Sequence, residues 1–178
     1  MVTIIEDTRQ QAEKHRLKHK WFDEHGVKVV RSKLPAADYA LLSDMSRVID
    51  SKQGLMEIYG NLTQDHERIR RECDFCKDNG IELIILIEEP GITCLDDVRK
   101  WSNPRLHKWN KIRYMHEHGR WLNTPLPAKP PVSNITLIKI MHTFGIKHGV
   151  RWEFCDPADS GRRIIELLME GKNEETQL

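Results

Sequence analysis

The sequence predicts an α/β fold with a mixed central sheet and helices on both faces. Three observations predict it. Short β-branched runs (Val2 to Glu6, Val27 to Leu34, Val150 to Phe154) alternate with longer segments of helical spacing. The run Leu83 to Ile87 is almost continuously apolar, as a strand covered on both faces requires. Tyr39 to Leu42 and Arg47 to Lys52 flank the polar turn Ser43 to Ser46, which reads as a hairpin and makes the sheet mixed.

The elements follow in order. After the first strand, Thr8 and Gln11 have the spacing of a capping box. They open a helix from about Arg9 to His25, with Ala12, Leu17, Trp21 and Phe22 inward and Gly26 as its stop. The second strand ends at Pro35, and the hairpin follows. Gly54 opens a short helix to about Asn61, and a charged helix runs from Asp65 to Asp78, closed by Asn79 and Gly80. Glu82 to Ile87 is the buried strand. The stretch 91–131 differs in being basic, aromatic and proline-rich, with a helix from Asn103-Pro104 to about His118. Asn134 to Phe144 reads as a helix, Val150 to Phe154 as a strand, and Ala158 to Met169 as a last helix. These assignments describe one domain over 1–170, interrupted by an insertion at about 91–131, and a frayed tail over 171–178.

Composition bounds the function. The chain has 178 residues, with 28 Lys+Arg against 27 Asp+Glu and a formal net charge of +1. This excludes a strongly basic nucleic-acid coat and an acidic disordered tail, but leaves room for a local basic patch. No apolar run approaches the roughly 18 residues needed to span a bilayer. Glu6 and Asp7 stand where a signal peptide has its apolar stretch. A cytoplasmic protein with no membrane partner is expected. In such a reducing compartment the four cysteines are expected as free thiols.

The stretch Asp38 to Lys52 carries the chemistry. Residues i and i+2 of a strand share a face, so Asp50 and Lys52 project side by side, with the Ser51 carbonyl nearby. Asp38 lies across the hairpin. Two carboxylates and a carbonyl suit a hard cation such as Mg²⁺ or Mn²⁺, and the lysine can orient water or stabilise charge on phosphorus. These are the parts of phosphodiester hydrolysis. Direct pairing of Leu42 with Arg47 would put Asp38 opposite Ser51, on the wrong face. Convergence therefore needs a bulge, an odd-length turn, or Asp38 in the loop before the strand. The last is expected, because Pro35-Ala36-Ala37 disfavours a regular strand. Taken alone, Asp-x-Lys is a common tripeptide whose bland reading is a surface ion pair.

In order, the motifs resemble the nuclease domain of the XPF/ERCC4 family, within the PD-(D/E)xK superfamily. Asp7-Thr8-Arg9-Gln10 is similar to the family's Asp-x-Arg-Glu opening, and Leu34 to Tyr39 to its Leu…Gly-Asp-Tyr element. Val48 to Lys52 stands where the family has Val-Glu-Arg-Lys, and Ile84 to Glu88 is similar to its Leu-Ile-Ile-Glu strand. Val150 to Phe154 and Ile164 to Leu168 look like the strand and helix that close the domain. Compact versions with such an insertion are similar to phage-encoded ERCC4-domain proteins.

The resemblance implies a restriction-endonuclease-like core. It also implies an Mg²⁺- or Mn²⁺-dependent endodeoxyribonuclease acting on branched, flap or junction DNA. Asp38 and Asp50 become metal ligands together with the Ser51 carbonyl. Lys52 becomes the catalytic lysine, and Asp7 a further acidic residue near the metal. Four positions depart from the pattern: Gln10 for Glu, Ala37 for Gly, Asp50 for Glu and Ser51 for Arg. Four residues after the lysine, where the family often has an acid, stands Met56, with Glu57 one further. The departures motivate an alternative, a catalytically inactive DNA-binding or scaffolding module. A protein-interaction adaptor is a third reading. Family members commonly pair, which makes a homodimer an expectation. The family's helix-hairpin-helix pair has no counterpart in the sequence.

From Arg99 to Lys129 there are eight Lys/Arg and one acid, Glu117, with Trp101, Trp109, Tyr114 and Trp121 among them. Basic side chains neutralise phosphates and aromatics stack unpaired bases. Lys100, Arg105, Lys108, Lys111, Arg113 and Arg120, together with Arg9, are the expected DNA contacts. The helix-1 stretch Lys14, His15, Arg16, Lys18, His19 and Lys20 is a second candidate. The bland reading is that the aromatics pack the insertion and the lysines solvate it. Cys73-x-x-Cys76 has zinc spacing, but inside a charged helix it reads rather as one buried and one exposed thiol.

Overall fold

A computed structural model of the chain describes residues 2–9 and 15–172. The strands are β1 (Thr3–Asp7), β2 (Lys28–Ser32), β3 (Tyr39–Leu41), β4 (Arg47–Lys52), β5 (Glu82–Glu88) and β6 (Val150–Cys155). The helices are α1 (Arg16–Glu24), α2 (Leu55–Thr63), α3 (His66–Asp78), α4 (Pro104–Glu117), α5 (Asn134–His148) and α6 (Ser160–Met169). The sheet runs β2-β1-β3-β4-β5-β6. β3 is antiparallel to both β1 and β4, and every other pairing is parallel, so the sheet is mixed as predicted.

Alternation along the strands builds two cores. Ile5, Ala40, Val48, Leu83, Ile85, Ile87, Val150 and Phe154 face α2, α3 and α5. Ile4, Tyr39, Leu41, Ile49, Ile84, Leu86 and Cys155 face α1 and α6. β5 is apolar on both sides because both sides are covered, which explains its unbroken apolar run.

The first helix departs from expectation. Its described part buries Lys18 and Phe22, whereas Leu17 is 59% exposed. The inward stripe is an i, i+4 pair one residue out of phase with the apolar pattern. A buried carboxylate, Glu88, receives the Lys18 ammonium at 2.5 Å and sets that phase. Lys18 and His15 are therefore buried rather than offered to DNA. Gln10, Gln11, Ala12 and Lys14 lie outside the described residues, as does the tail from Asn173 onward.

α5 runs past Phe144 to His148, through Gly145. Gly145 is a contact glycine rather than a stop: a Cβ there would stand 2.8 Å from Trp152 Nε1 and 3.1 Å from the Val150 carbonyl. The stop is Gly149, in the left-handed conformation at φ 71°. Cys73 and Cys76 are both buried on α3, not one in and one out. Burial pushes the Cys76 thiol up to about 11 and Cys73 higher still, so both are unreactive.

Ile85 sits in the middle of β5 with no exposed surface. Ile85→Ala should lower the urea-unfolding free energy by about 2–5 kcal/mol, through lost transfer energy and the residual cavity.

Candidate active site

The site forms at one end of the sheet, where β1, the segment before β3, and β4 end together. Tyr39 pairs with Ile49 and Ala40 with Val48. This register differs by one residue from a Leu42–Arg47 pairing and leaves an odd-length connection, 42–46. It also brings Asp38 level with Asp50. Asp38 precedes β3 and is wedged between neighbours. Its N–H donates to the Ile49 carbonyl at 2.9 Å, and its carbonyl accepts from Asp7 N–H at 2.8 Å. The Ser51 N–H, lacking a further strand residue to meet, donates to Asp38 Oδ2 at 2.8 Å. The side chain of Asp38 thus continues the ladder where the backbone leaves it.

The backbone leaves at Ala37, whose φ is +63°. The left-handed region costs a residue with a Cβ roughly 1–2 kcal/mol. Here the methyl is buried, worth about 0.8 kcal/mol. Alanine also avoids the extra unfolded-state entropy of glycine, about 0.5–1 kcal/mol. The contributions nearly cancel, which is how alanine stands where the resembling family has glycine. Ala37 N–H donates to Glu72 Oε1 on α3 at 2.7 Å, which anchors the turn.

Asp50 is buried, and Lys52 Nζ lies 2.8 Å from its Oδ1 and 2.7 Å from its Oδ2. Glu57 Oε1 is 3.7 Å from the same ammonium. Burial pushes the Asp50 carboxyl well above the usual carboxylate range; Lys52 opposes this, and Asp38 and Glu72 add to it. Burial alone would lower Lys52, but the Asp50 carboxylate outweighs it and holds the ammonium above its ordinary value. The contact lengths are those of an ion pair, so Lys52 is a standing cation and a donor, not a base.

Asp7, Arg9, Asp38, Asp50, Ser51 and Lys52 all line one cavity of about 510 Å³. The predicted convergence on one site is therefore seen. Asp7 is engaged on both oxygens: Arg9 N–H and Nε donate to Oδ1, while Arg9 Nη2 and the Leu34 N–H donate to Oδ2. Burial works to raise the Asp7 carboxyl, but the Arg9 hydrogen bond and the backbone donors hold it below the ordinary aspartate value. Among the described residues, no three His, Cys, Asp or Glu side chains are grouped closely enough to form a metal cage by themselves.

Arg68 and Glu72 also line the cavity and were not among the predicted site residues; they arrive from α3, and no local motif marks them. His15, named above only as a candidate DNA contact, lines it too. Glu57 did carry a signal, one residue beyond the expected acidic position.

The insertion separates its residues. Asn103 caps α4 by accepting from Arg105 N–H at 3.0 Å, and its amide donates to the Val132 carbonyl at 2.8 Å. α4 buries Ile112 and keeps its basic side chains outward. Lys100 is paired with Asp97 at 2.6 Å, and Arg113 stacks near Trp109 and reaches Glu117 at 3.4 Å. Arg105 lies over the Tyr59 ring and Lys111 over the Trp121 ring. Lys108 and Lys111 line a shallow hollow with Trp121, and Arg120 is exposed. Of the aromatics, Trp101 packs on the core and Trp109 donates to the Pro127 carbonyl at 2.8 Å. Tyr114 and Trp121 stay exposed.

No protein-family model matches the chain, and no curated protein matches its sequence. Solved structures do match. XPF from Aeropyrum pernix superposes with a TM-score of 0.60 at 16% identity, covering 98% of this chain and 67% of that one. XPF from Aeropyrum pernix in complex with DNA gives 0.60 at 17% identity, covering 98% and 66%. The chain has the fold of these XPF structures. It spans about two thirds of the XPF chains it matches. The XPF-like sheet is what brings the three carboxylates to one end. No helix among the described residues is long and apolar enough to cross a membrane.

Asp7 lies below its ordinary value when folded, so its stabilisation is complete above about pH 4. It is lost as pH falls through the depressed folded value. Asp7→Asn should therefore destabilise the protein at pH 7, with the difference from wild type shrinking below pH 4, as read by urea unfolding at each pH.

Proposed function

We propose that the chain is a metal-dependent DNA endonuclease acting as one nuclease domain over 1–170. The observation that carries this reading is the buried Asp50–Lys52 pair facing the same cavity as Asp38, on an XPF fold. A solved XPF structure in complex with DNA adds support for the substrate class.

The donor set fits Mg²⁺ or Mn²⁺. Asp38, Asp50 and the Ser51 carbonyl are hard oxygen donors, and Mg²⁺ commonly takes one or two carboxylates plus water and substrate phosphate rather than an all-protein cage. The electrostatics fit as well: Asp50 is buried beside Asp38 and Glu72 with one lysine opposite, so the site is short of positive charge. Such an ion, when bound, supplies Lewis-acid polarisation of the phosphodiester and a more acidic water. Lys52 orients the attacking water by donation and stabilises charge developing on phosphorus. Asp50 holds that ammonium in place. Asp7 fixes Arg9, whose side chain is 61% exposed at the cavity, as a phosphate contact.

Branched, flap or junction DNA is the substrate class, with a 5′-phosphate product and a homodimer as the working unit. The α4 face, with Lys108, Lys111, Arg113 and Arg120 beside exposed Tyr114 and Trp121, is the DNA arm. An inactive scaffold was motivated by Gln10, Ala37 and Ser51. Of these, Ala37 and Ser51 are described: Ala37 N–H donates to Glu72, and the Ser51 N–H and hydroxyl meet Asp38 Oδ2.

With Mg²⁺ or Mn²⁺, wild type should nick a branched DNA substrate. Lys52→Ala and Asp50→Asn should cut about 10²–10³-fold more slowly while retaining DNA binding in a gel-shift assay. Equal rates in all three proteins would end the reading. Lys108→Glu combined with Lys111→Glu should weaken DNA binding. The slope of log K against log salt should become shallower by about 1 per lost phosphate contact, with no change in thermal stability.

A further inference from the structure

A second polar cluster lies behind the cavity, on the α1 side of the sheet. Lys18 is 2% exposed, and its ammonium is held by Glu88 Oε1 at 2.5 Å and by His15 Nδ1 at 3.1 Å. A third polar neighbour among the described residues is the Ser51 hydroxyl, at 3.2 Å. That hydroxyl in turn lies 3.0 Å from Asp38 Oδ2, the oxygen that already accepts the Ser51 N–H.

We propose that Lys18 is a positioning residue for Asp38, acting through the Ser51 hydroxyl. The inference rests on reading Asp38 as a cation-holding carboxylate. An ammonium has only donors, so the serine oxygen must accept from Lys18 and its single hydrogen must go elsewhere. The acceptor within reach is Asp38 Oδ2. Lys18 thereby locks the hydroxyl rotor toward the carboxylate and polarises it. With two donors on one oxygen, the rotation of the Asp38 carboxylate about its own bond is set before any ligand arrives.

His15 completes the orientation. Burial, then the Lys18 charge, push its imidazole below the ordinary histidine value, so Nδ1 stands as a neutral acceptor for the ammonium. Glu88 balances the lysine's charge in the low-dielectric interior. The Lys18 ammonium reaches the Ser51 side chain from α1. This assigns a purpose to a lysine in the inward stripe of α1, where an apolar side chain would pack at less desolvation cost.

The test is a double-mutant cycle on Mn²⁺ affinity, read by electron paramagnetic resonance, with DNA cleavage as a second readout. Removing Lys18 alone strands Glu88, so the variant is Lys18→Met with Glu88→Gln, checked for a wild-type-like melting curve. Ser51→Ala is the partner variant. Each should weaken Mn²⁺ binding on the order of 10–100-fold, and the combination should lose no more than either alone. Lys18→Arg should recover part of the loss.

Additive losses, or an unchanged Mn²⁺ affinity in the Lys18 variant, overturn the inference. So does a wild type that binds no Mn²⁺, which also removes the nuclease reading. A wild type that binds Mn²⁺ with the expected coupling but does not cut overturns the nuclease reading alone.

Discussion

The arrangement of the site depends on one strand register. Pairing Tyr39 with Ile49 places Asp38 level with Asp50, and pairing Glu6 with Tyr39 places Asp7 level with Asp38. Three acids thus stand abreast on the ends of adjacent strands. A slip of one residue would turn Asp38 away from Asp50 and exchange the side chains that β3 sends to its two faces. Ala40 and Val48 belong to one core, Tyr39 and Ile49 to the other, so a slip would misplace packed side chains in both cores at once.

Holding these acids is costly, and the protein offsets the cost locally. Burying an unpaired carboxylate is prohibitive, and even a paired one gains little over an apolar side chain. Asp7 accepts from Arg9 and a backbone N–H, Asp38 from Ser51, and Asp50 from Lys52. Burial pushes the Asp50 carboxyl upward against the pull of Lys52.

The insertion follows different physics. Its anchors include Ile92 and Val98 in the core, Trp101 packed on it, the Asn103 cap, and the Trp109–Pro127 hydrogen bond. Its aromatics fall into two groups. Trp101 and Trp109 fasten it, whereas Tyr114 and Trp121 remain at the surface beside lysines and arginines. Cations lying over aromatic rings keep the guanidinium and ammonium groups extended on this face, at a gain of roughly 0.5–1 kcal/mol each.

Strand and helix identities were legible in the chain because they rest on local periodicity. β4 was readable to its ends, and α3 and α4 to within a residue or two. The Asp50–Lys52 pair was legible for the same reason, since neighbours two apart on a strand share a face. What α1 buries was not legible: Leu17 outranks Lys18 on any apolar pattern, and only the distant Glu88 reverses that order. The extension of α5 past Phe144 was not legible either, because the contact of Gly145, Trp152, lies on another element. Glu72 and Arg68 carried no signal, because nothing local to α3 reveals which cavity it borders. The sequence by itself determined the elements, the mixed sheet and the candidate acids, because these follow from short-range spacing. The tertiary structure alone decided the register, the phase of α1 and the polar partners of each acid, because those depend on which buried charges meet across the chain.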